Sequence, residues 1–401
     1  MDAQVVIVGA GPAGAAAAIA LSQAGIRDVL LLDRDHFPRD KTCGSGLSPA
    51  ALELAETLGV GGELRARANP IDWVRFVTPR NEAIVMPANG AAVVLLRRDF
   101  DNLLVERARS LQVGVEEGFR AAELIRDGRR IVGLRSYDGR ERRARFFLFA
   151  DGAHSIFSQD PRSRHQISTL MGWWANPELP GNRLDLIFDR RLSPLYGWMF
   201  PETATRVNIG ICVDEPGPSE LPKPDLRRLF REFVDEHYRS ALRTATQVGG
   251  LKGHPIVFTT WISHCTAPGA LWVGEAARVT NHATGEGISQ ALQSGLYAAE
   301  AVAAVVHGFC SEAAAWRTYL WRHRVRFTPG FVSGHLFRAF VAHRGLDLIA
   351  RAYNSSSGQR LIERALGSAI TGTSSQRAPQ AYARLAPAAD RDRDMATAHM
   401  H

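Results

Sequence analysis

The sequence predicts an α/β protein: a Rossmann-type dinucleotide-binding domain with a parallel sheet and a β meander, then a strand-rich second domain and C-terminal helices. Three observations predict it. A β-branched run from Gln4 to Val8 leads straight into Gly9-Ala10-Gly11-Pro12-Ala13-Gly14. An alanine-rich helical stretch follows, and a second apolar run, Val29 to Leu32, ends in the acid Asp33. Strand, glycine turn, helix, strand and acid in that order make one βαβ unit within about thirty residues. Far downstream, Ala270 to Val273 and a helical stretch from Ile288 to Val306 return to the same sheet, which makes the first domain discontinuous.

The glycines of the turn have separate tasks. Gly9 permits the tight bend after the strand, Gly11 lets backbone approach a pyrophosphate, and Gly14 lets the helix pack closely on the strand. Ala13 sits among them on the first helical turn, whose unpaired N–H groups and partial positive charge suit phosphate. Asp33, at the end of the second strand with Arg34 beside it, is placed to accept hydrogen bonds from ribose hydroxyls. The motif alone does not choose between NAD and FAD.

Beyond Gly25, a helix stop, a loop with Pro38 and a Cys43-Gly44-Ser45-Gly46 turn lead to a helix from Ser48 to Leu58, with Ser48 as cap and Pro49 at its first position. Strands are expected at 74–77, 83–86 and 92–96, and a helix over 100–110. Runs at 113–116, 121–126 and 131–137 read as a meander closed by Asp138-Gly139, and 146–150 as a strand ending at Asp151-Gly152. The stretch from 155 to 268 is strand-rich with one helix near 225–243, and helices continue to about Ala369. The expected division is 1–154 with 269–310 for the cofactor, 155–268 for the substrate, 311–370 as a helical region, and 371–401 as a disordered tail rich in Ala, Pro, Arg and Asp.

Composition narrows the function. With 401 residues and 45% apolar content the chain can bury a sizeable core. The formal charge is +7, and Lys41, Lys223 and Lys252 are the only lysines. The arginines are scattered rather than interleaved with aromatics, so no nucleic-acid partner is expected. Cys43, Cys212, Cys265 and Cys310 lie far apart without metal spacing, as do His154, His264, His282 and His307; no metal is expected, and a reducing cytoplasm fits best. Val5 to Leu21 lacks the basic flank of a signal peptide, and no other apolar run is long enough for a membrane span.

Beyond the glycine turn, the chain resembles the geranylgeranyl reductase family of flavoproteins, within the larger group that holds aromatic hydroxylases and flavin halogenases. The likeness covers about residues 4 to 306 and rests on Lys41-Thr42-Cys43-Gly44-Ser45-Gly46-Leu47, Arg98-Asp99-Phe100-Asp101, Ala150-Asp151-Gly152, Tyr196-Gly197-Trp198-Met199-Phe200-Pro201, Gly274-Glu275-Ala276-Ala277 and Thr284-Gly285-Glu286-Gly287-Ile288. It implies FAD as cofactor, with NAD(P)H or a reduced carrier as electron donor. Arg98, entering a helix, can meet the pyrophosphate as a fixed cation. Ala121 falls where family backbone meets the adenine end, and Asp151 where hydroxylases touch FAD. Glu275 stands where the family has aspartate, which shifts the carboxylate outward by about one carbon. The N–H groups at Gly287 and Ile288 can stabilise negative charge on reduced flavin.

The resemblance also lays the Cys43, Gly44 and Gly46 loop along the flavin, where the thiol either donates a proton or packs on the ring. Tyr196, Trp198 and Phe200 offer aromatic faces to a long apolar or planar substrate. Trp198 has no tryptophan partner two positions away, which disfavours halogenation. The leading expectation is an FAD enzyme that reduces C=C bonds of an isoprenoid or other apolar substrate. The alternatives are a flavin monooxygenase of a secondary metabolite and a flavoprotein acting on a partner protein. The helices after Ala315, with Trp316 and Trp321, either close the domain or touch a membrane surface.

Overall fold

In the computed structural model, residues 1–158, 165–215, 224–262, 264–343 and 345–353 are described. Chain order begins with β1 (Ala3–Val8), α1 (Pro12–Gln23), β2 (Val29–Leu32), β3 (Gly46–Leu47), α2 (Pro49–Thr57) and α3 (Gly61–Arg67). Then come β4 (Asn69–Val77), β5 (Ala83–Val94), α4 (Arg97–Ser110), β6 (Gly114–Glu116), β7 (Ala121–Asp127), β8 (Arg130–Ser136) and β9 (Glu141–Phe149). The middle of the chain holds β10 (His165–Ala175), β11 (Arg183–Ile187), β12 (Gly197–Thr203), β13 (Arg206–Asp214) and α5 (Leu226–His237). The remainder is β14 (Thr246–Gln247), β15 (Lys252–Phe258), β16 (Thr266–Ala267), β17 (Ala270–Trp272), α6 (Ile288–Val306), α7 (Glu312–Ala342) and α8 (Gly345–Tyr353).

Two sheets organise these elements. The first runs β16-β17-β9-β1-β2-β6, with β17, β9, β1, β2 and β6 all parallel, and the β7–β8 meander attached to β9. The apolar strands Val5 to Val8 and Phe146 to Phe149 are buried on both faces, as a parallel sheet covered by helices requires. Helix α1 is buried from Pro12 to Ser22, enclosed by α6, α4 and the sheet. A methyl on Gly295 of α6 would fall 2.2 Å from Ala13 O, so the absence of a side chain there sets the spacing of the two helices.

The second sheet runs β14-β10-β13-β12-β11-β4-β5-β3, with β15 on β10. Helix α5 covers one face, and Phe233 fills the space above Gly197, where a methyl would come within 2.2 Å of its ring. This sheet corrects the expected division at residue 154. Strands β3, β4 and β5, from residues 46–94, belong with the substrate-side strands, and β4 pairs in parallel with β11 across more than a hundred residues of chain. Local pattern carries no information about that pairing. Two further expectations are revised. The runs at 83–86 and 92–96 form the single strand β5, which bends at Asn89 and Gly90, both at positive φ. Helix α5 stops at His237 instead of reaching 243. The expected tail at 371–401 and the helices past Tyr353 lie outside the described residues.

Candidate functional site

The turn between β1 and α1 behaves as its three glycines require. Gly9 has φ +101°, and a methyl there would meet Ala150 O at 2.5 Å. At Gly14 it would stand 1.9 Å from Gly9 O. Gly11 differs: its backbone is extended, and the nearest atom to an added methyl is Arg39 Nη2 at 3.7 Å. The space over Gly11 is thus open, faced by helix N–H groups and a guanidinium, and fits a pyrophosphate. Asp33 holds the turn from below. Its Oδ2 accepts from the Ala10 N–H at 2.7 Å, and its Oδ1 from Asp35 N at 2.9 Å. Burial pushes its carboxyl above the usual range, with Arg39 opposing.

Arg39 and Arg97 were not singled out from the sequence, yet both stand largely buried beside this turn. Asp101, fully buried, accepts from Arg97 Nε at 2.7 Å and Nη2 at 2.8 Å, and pairs with Arg39 Nη2 at 3.2 Å. Arg97 also bonds to the Cys43 thiol; burial lowers its pKa, but Asp101 and Cys43 outweigh that and hold it above the ordinary value. Arg98 points out, 54% exposed and 4.0 Å from Asp40, and Arg34 is also exposed. The readable signal was the i, i+4 spacing of Arg97 and Asp101 on α4. Ala121 begins β7, half-buried in the meander and opposite Ser136.

The Cys43 turn connects the two sheets. Ser45, at φ +65°, donates its N–H to Cys43 Sγ at 3.3 Å, and Gly46 and Leu47 pair with β5. Methyls on Gly44 or Gly46 would come within 3.0 Å of the Phe200 ring, and one on Gly44 within 3.1 Å of Trp198 Nε1. Trp198 donates to Asn208 Oδ1 at 2.7 Å and lies flat on Gly210, whose missing side chain makes room for the indole. Tyr196 donates its hydroxyl to Thr284 O, and burial drives its pKa well up. The aromatic strand therefore touches the Cys43 turn at one end and the late 284–287 turn at the other.

That late turn is closed by its own polar atoms. Asn281 Oδ1 accepts from Ala283 N at 2.9 Å, and Glu286 N donates to Thr284 Oγ1 at 3.3 Å. Glu286 Oε1 accepts from Ser289 Oγ at 2.6 Å and from Ser48 Oγ, the cap of α2. Gly287 caps α6 without a side-chain partner, and the N–H groups from Ile288 onward open the helix.

A second polar group lies on the sheet boundary; Lys41, Asp151, His154 and Glu275 were named from the sequence, and His254 was not. Lys41 Nζ bonds His254 Nε2 on β15, and the His154 ring stands 5.5 Å from that of His254. Burial lowers Lys41 to about 8 against the pull of Glu275, and lowers His254 to about 4. Glu275 accepts from Val257 N at 3.4 Å and is raised by burial, with Lys41 opposing. Asp151 is pushed up to about 6 by burial, and its Oδ1 is buried with no hydrogen-bond partner. An orphaned buried oxygen beside the glycine turn suits a donor brought by a bound cofactor. Lys41 and His254 are 213 residues apart, so nothing local connects them.

Among the described residues, Asp189, Glu236 and His237 lie close enough to share a cation. Arg191 pairs with Asp189 and, at 2.6 Å, with Glu236, so the two carboxylates already have their countercharge.

Fold and turn together define an FAD-binding oxidoreductase, and residues 2–174 match the family model described as an FAD binding domain. The chain is 30% identical over 397 residues to a menaquinone reductase of Mycolicibacterium smegmatis, covering 92% of each. It is 31% identical over 381 residues to digeranylgeranylglycerophospholipid reductase 2 of Methanopyrus kandleri, covering 90% of this chain and 93% of that one. The crystal structure of a geranylgeranyl bacteriochlorophyll reductase-like protein from Thermoplasma acidophilum shares the fold, with a TM-score of 0.76 at 21% identity over 87% of this chain and 91% of that one. The chain belongs to the geranylgeranyl reductase family of FAD-dependent oxidoreductases.

Proposed function

We propose that this enzyme reduces carbon–carbon double bonds of a long, apolar isoprenoid-type substrate, with NAD(P)H or a reduced carrier as the electron source. The carrying observation is the aromatic strand Tyr196 to Phe200 lying on the Cys43 turn and reaching the 284–287 turn. Two turns suited to a cofactor thus share one apolar wall, which offers a polyprenyl chain surface and excludes water. The named activities of the relatives, on menaquinone and on geranylgeranyl lipids, support the substrate class.

Bound FAD supplies hydride transfer. The protein's own part begins with Arg39 and the α1 N-terminus, which would hold the pyrophosphate in the open space at Gly11. Asp151 Oδ1, buried without a partner, would accept from hydroxyls of the cofactor. The N–H groups at Gly287 and Ile288 face developing negative charge, as a helix N-terminus favours. The single proton that completes the addition, on the carbon next to the one that takes hydride, comes from the Cys43 thiol, at whose sulfur Arg97 and the Ser45 N–H both aim donors that favour the thiolate left behind.

The test is anaerobic. Protein loaded with FAD and reduced by dithionite is mixed with a polyprenyl lipid or a menaquinone, and products are weighed by mass spectrometry. Gain of two hydrogens per double bond is expected. Product carrying an added oxygen atom when air is admitted, with no hydrogen gain under argon, would replace this reading by the monooxygenase one.

A further inference from the structure

Helix α7 is sided in an unusual way. Its inner face, including Trp316, Tyr319, His323, Phe327, Phe331 and Gly334, is buried. Its outer face is apolar as well. Trp321 is 62% exposed, Val325 55%, Val332 56% and Leu336 64%, and Phe340 continues the row. At about 100° per residue these five fall within an arc of about 100° on the side opposite the core. Val325, Thr328, Pro329, Val332 and Leu336 line a shallow apolar groove along it. An exposed row of this length is not needed for folding, because the core already has the other face.

Charge tells what covers it. No Asp or Glu occurs between Glu312 and Asp347, whereas the same stretch holds six arginines. On the helical wheel Arg317 and Arg324 border the apolar row on one side, and Arg322 and Arg326 on the other; Arg322 pairs with Glu300 of α6 and Arg324 donates to Ile262 O at 2.9 Å, which leaves Arg317 and Arg326 to meet phosphates. Arg317 and Arg326 are exposed. Arg324 lies over the ring of Trp261, 4.8 Å away, itself 46% exposed, which widens the aromatic margin. An apolar row edged by arginines with tryptophan at the margin is the pattern of a helix lying in a bilayer interface: side chains enter the acyl boundary while guanidinium groups reach the phosphates. Among the described residues no helix is long and apolar enough to cross a membrane, so the contact is one of lying on the surface.

We propose that the outer face of α7, with Trp261, docks onto an anionic lipid bilayer. The inner face of the same helix closes the late turn: Gly334 packs on Ala283 and His282, Arg338 donates to His282 O at 3.2 Å, and Gly330 O accepts from Asn281 Nδ2 at 3.4 Å. Docking therefore brings the wall of the proposed site against the lipid that would hold its substrate. The surface goes beyond the isoprenoid reading, and vesicle binding needs no substrate, so each stands or falls separately.

The experiment uses full-length protein loaded with FAD and sedimented with phosphatidylcholine vesicles, with or without phosphatidylglycerol. Wild type is expected to bind the anionic vesicles and to be released by salt. Trp321→Glu with Leu336→Glu should abolish binding, and Arg317→Gln with Arg326→Gln should weaken it roughly twenty-fold. All four positions are exposed, so FAD content and circular dichroism should match wild type. Failure of wild type to bind anionic vesicles overturns the proposal, as does binding unchanged in both double variants. A dimer in solution that W321E/L336E dissociates also overturns it, since a second copy would then cover the face.

Discussion

Replacing Gly11 and, separately, Gly14 by alanine should separate cofactor binding from folding, although the same methyl is added three residues apart. At Gly14 the new carbon would lie 1.9 Å from Gly9 O and 3.1 Å from Ala150 Cβ. Neither the turn nor β9 behind it can yield cheaply, because Gly9 is itself against Ala150 O. Overpacking at such a place costs about 3 kcal/mol, and the better helix propensity of alanine returns about 1 kcal/mol. The net loss of about 2 kcal/mol lowers Tm by roughly 2–3 °C in a chain of 401 residues. At Gly11 the backbone is ordinary for any residue and only the tip of Arg39 is near. Stability of the apoprotein should stay within about 0.5 kcal/mol. The methyl instead occupies the space over the helix N-terminus, and losing one charged hydrogen bond there costs about 1.5–3 kcal/mol, or roughly 10- to 100-fold in FAD affinity. Melting of the apoproteins and titration with FAD followed by flavin fluorescence read both quantities. A Gly11→Ala protein that binds FAD like wild type would refute the placement of the pyrophosphate; a Gly14→Ala protein with unchanged Tm would refute the packing argument.

Asp151 gives a pH signature. Its folded pKa, about 6, lies above the ordinary value of 3.8, so its contribution to stability is full below about pH 4 and lost as pH rises through 6. Asp151→Asn should therefore stabilise the apoprotein at pH 7 by up to about 3 kcal/mol and leave it unchanged near pH 4; urea melts showing the same difference at both pH values would contradict this. Cys43→Ser should keep FAD and reduce double-bond reduction by about a hundredfold or more, since a hydroxyl is a poor acid. Turnover within threefold of wild type would leave the sulfur only a packing role. Trp198→Phe removes the donor from buried Asn208 Oδ1 and should cost about 1–3 kcal/mol in urea unfolding; a loss below about 0.5 kcal/mol would show that the indole bond contributes nothing net.

The parts of the site legible in the sequence are those whose chemistry is local. The three glycines, the acid after β2 and the two later glycine turns each carry their reason within a few residues, because positive φ, close approach and helix ends are constraints of neighbouring atoms. The helices α1, α2 and α6 were legible for the same cause, down to Ser48 and Pro49 at the start of α2. What was hidden depends on distant pairing. The parallel register of β4 with β11 carries residues 69–77 into the second sheet, and no pattern within either strand announces it. Arg97 and Arg98 are adjacent and identical in type. Only the burial of Asp101 one turn on distinguishes the inward arginine from the exposed one. Lys41 and His254 meet because β15 crosses over the Cys43 loop, a contact that exists solely in three dimensions.

The seam between the sheets explains why the candidate chemistry gathers where it does. β9 and β1 are central in the first sheet, and the second sheet takes strands from before β9 and from after it. The chain must therefore cross the boundary repeatedly, and among the described residues the crossings leave loops at 33–45, 95–96, 150–158 and 259–262. Crossing loops are where backbone N–H groups and charged side chains escape sheet pairing, so they can serve a phosphate or a proton transfer. Ser48 and Glu286 tie the second sheet's β3 side to the start of α6, and Tyr196 ties β12 to the same turn. A cofactor lying along that seam would touch both sheets, and its binding energy would add to the stability of each in proportion to its affinity for the folded state. Architecture of this kind fixes the position of the reaction while leaving the aromatic strand free to vary, because Trp198 and Phe200 contact the Cys43 turn through ring faces and glycines rather than through polar bonds to it. On the proposed reading, substitutions that change side-chain volume on β12 and β13 should shift substrate range, and changes in the two turns should alter cofactor binding.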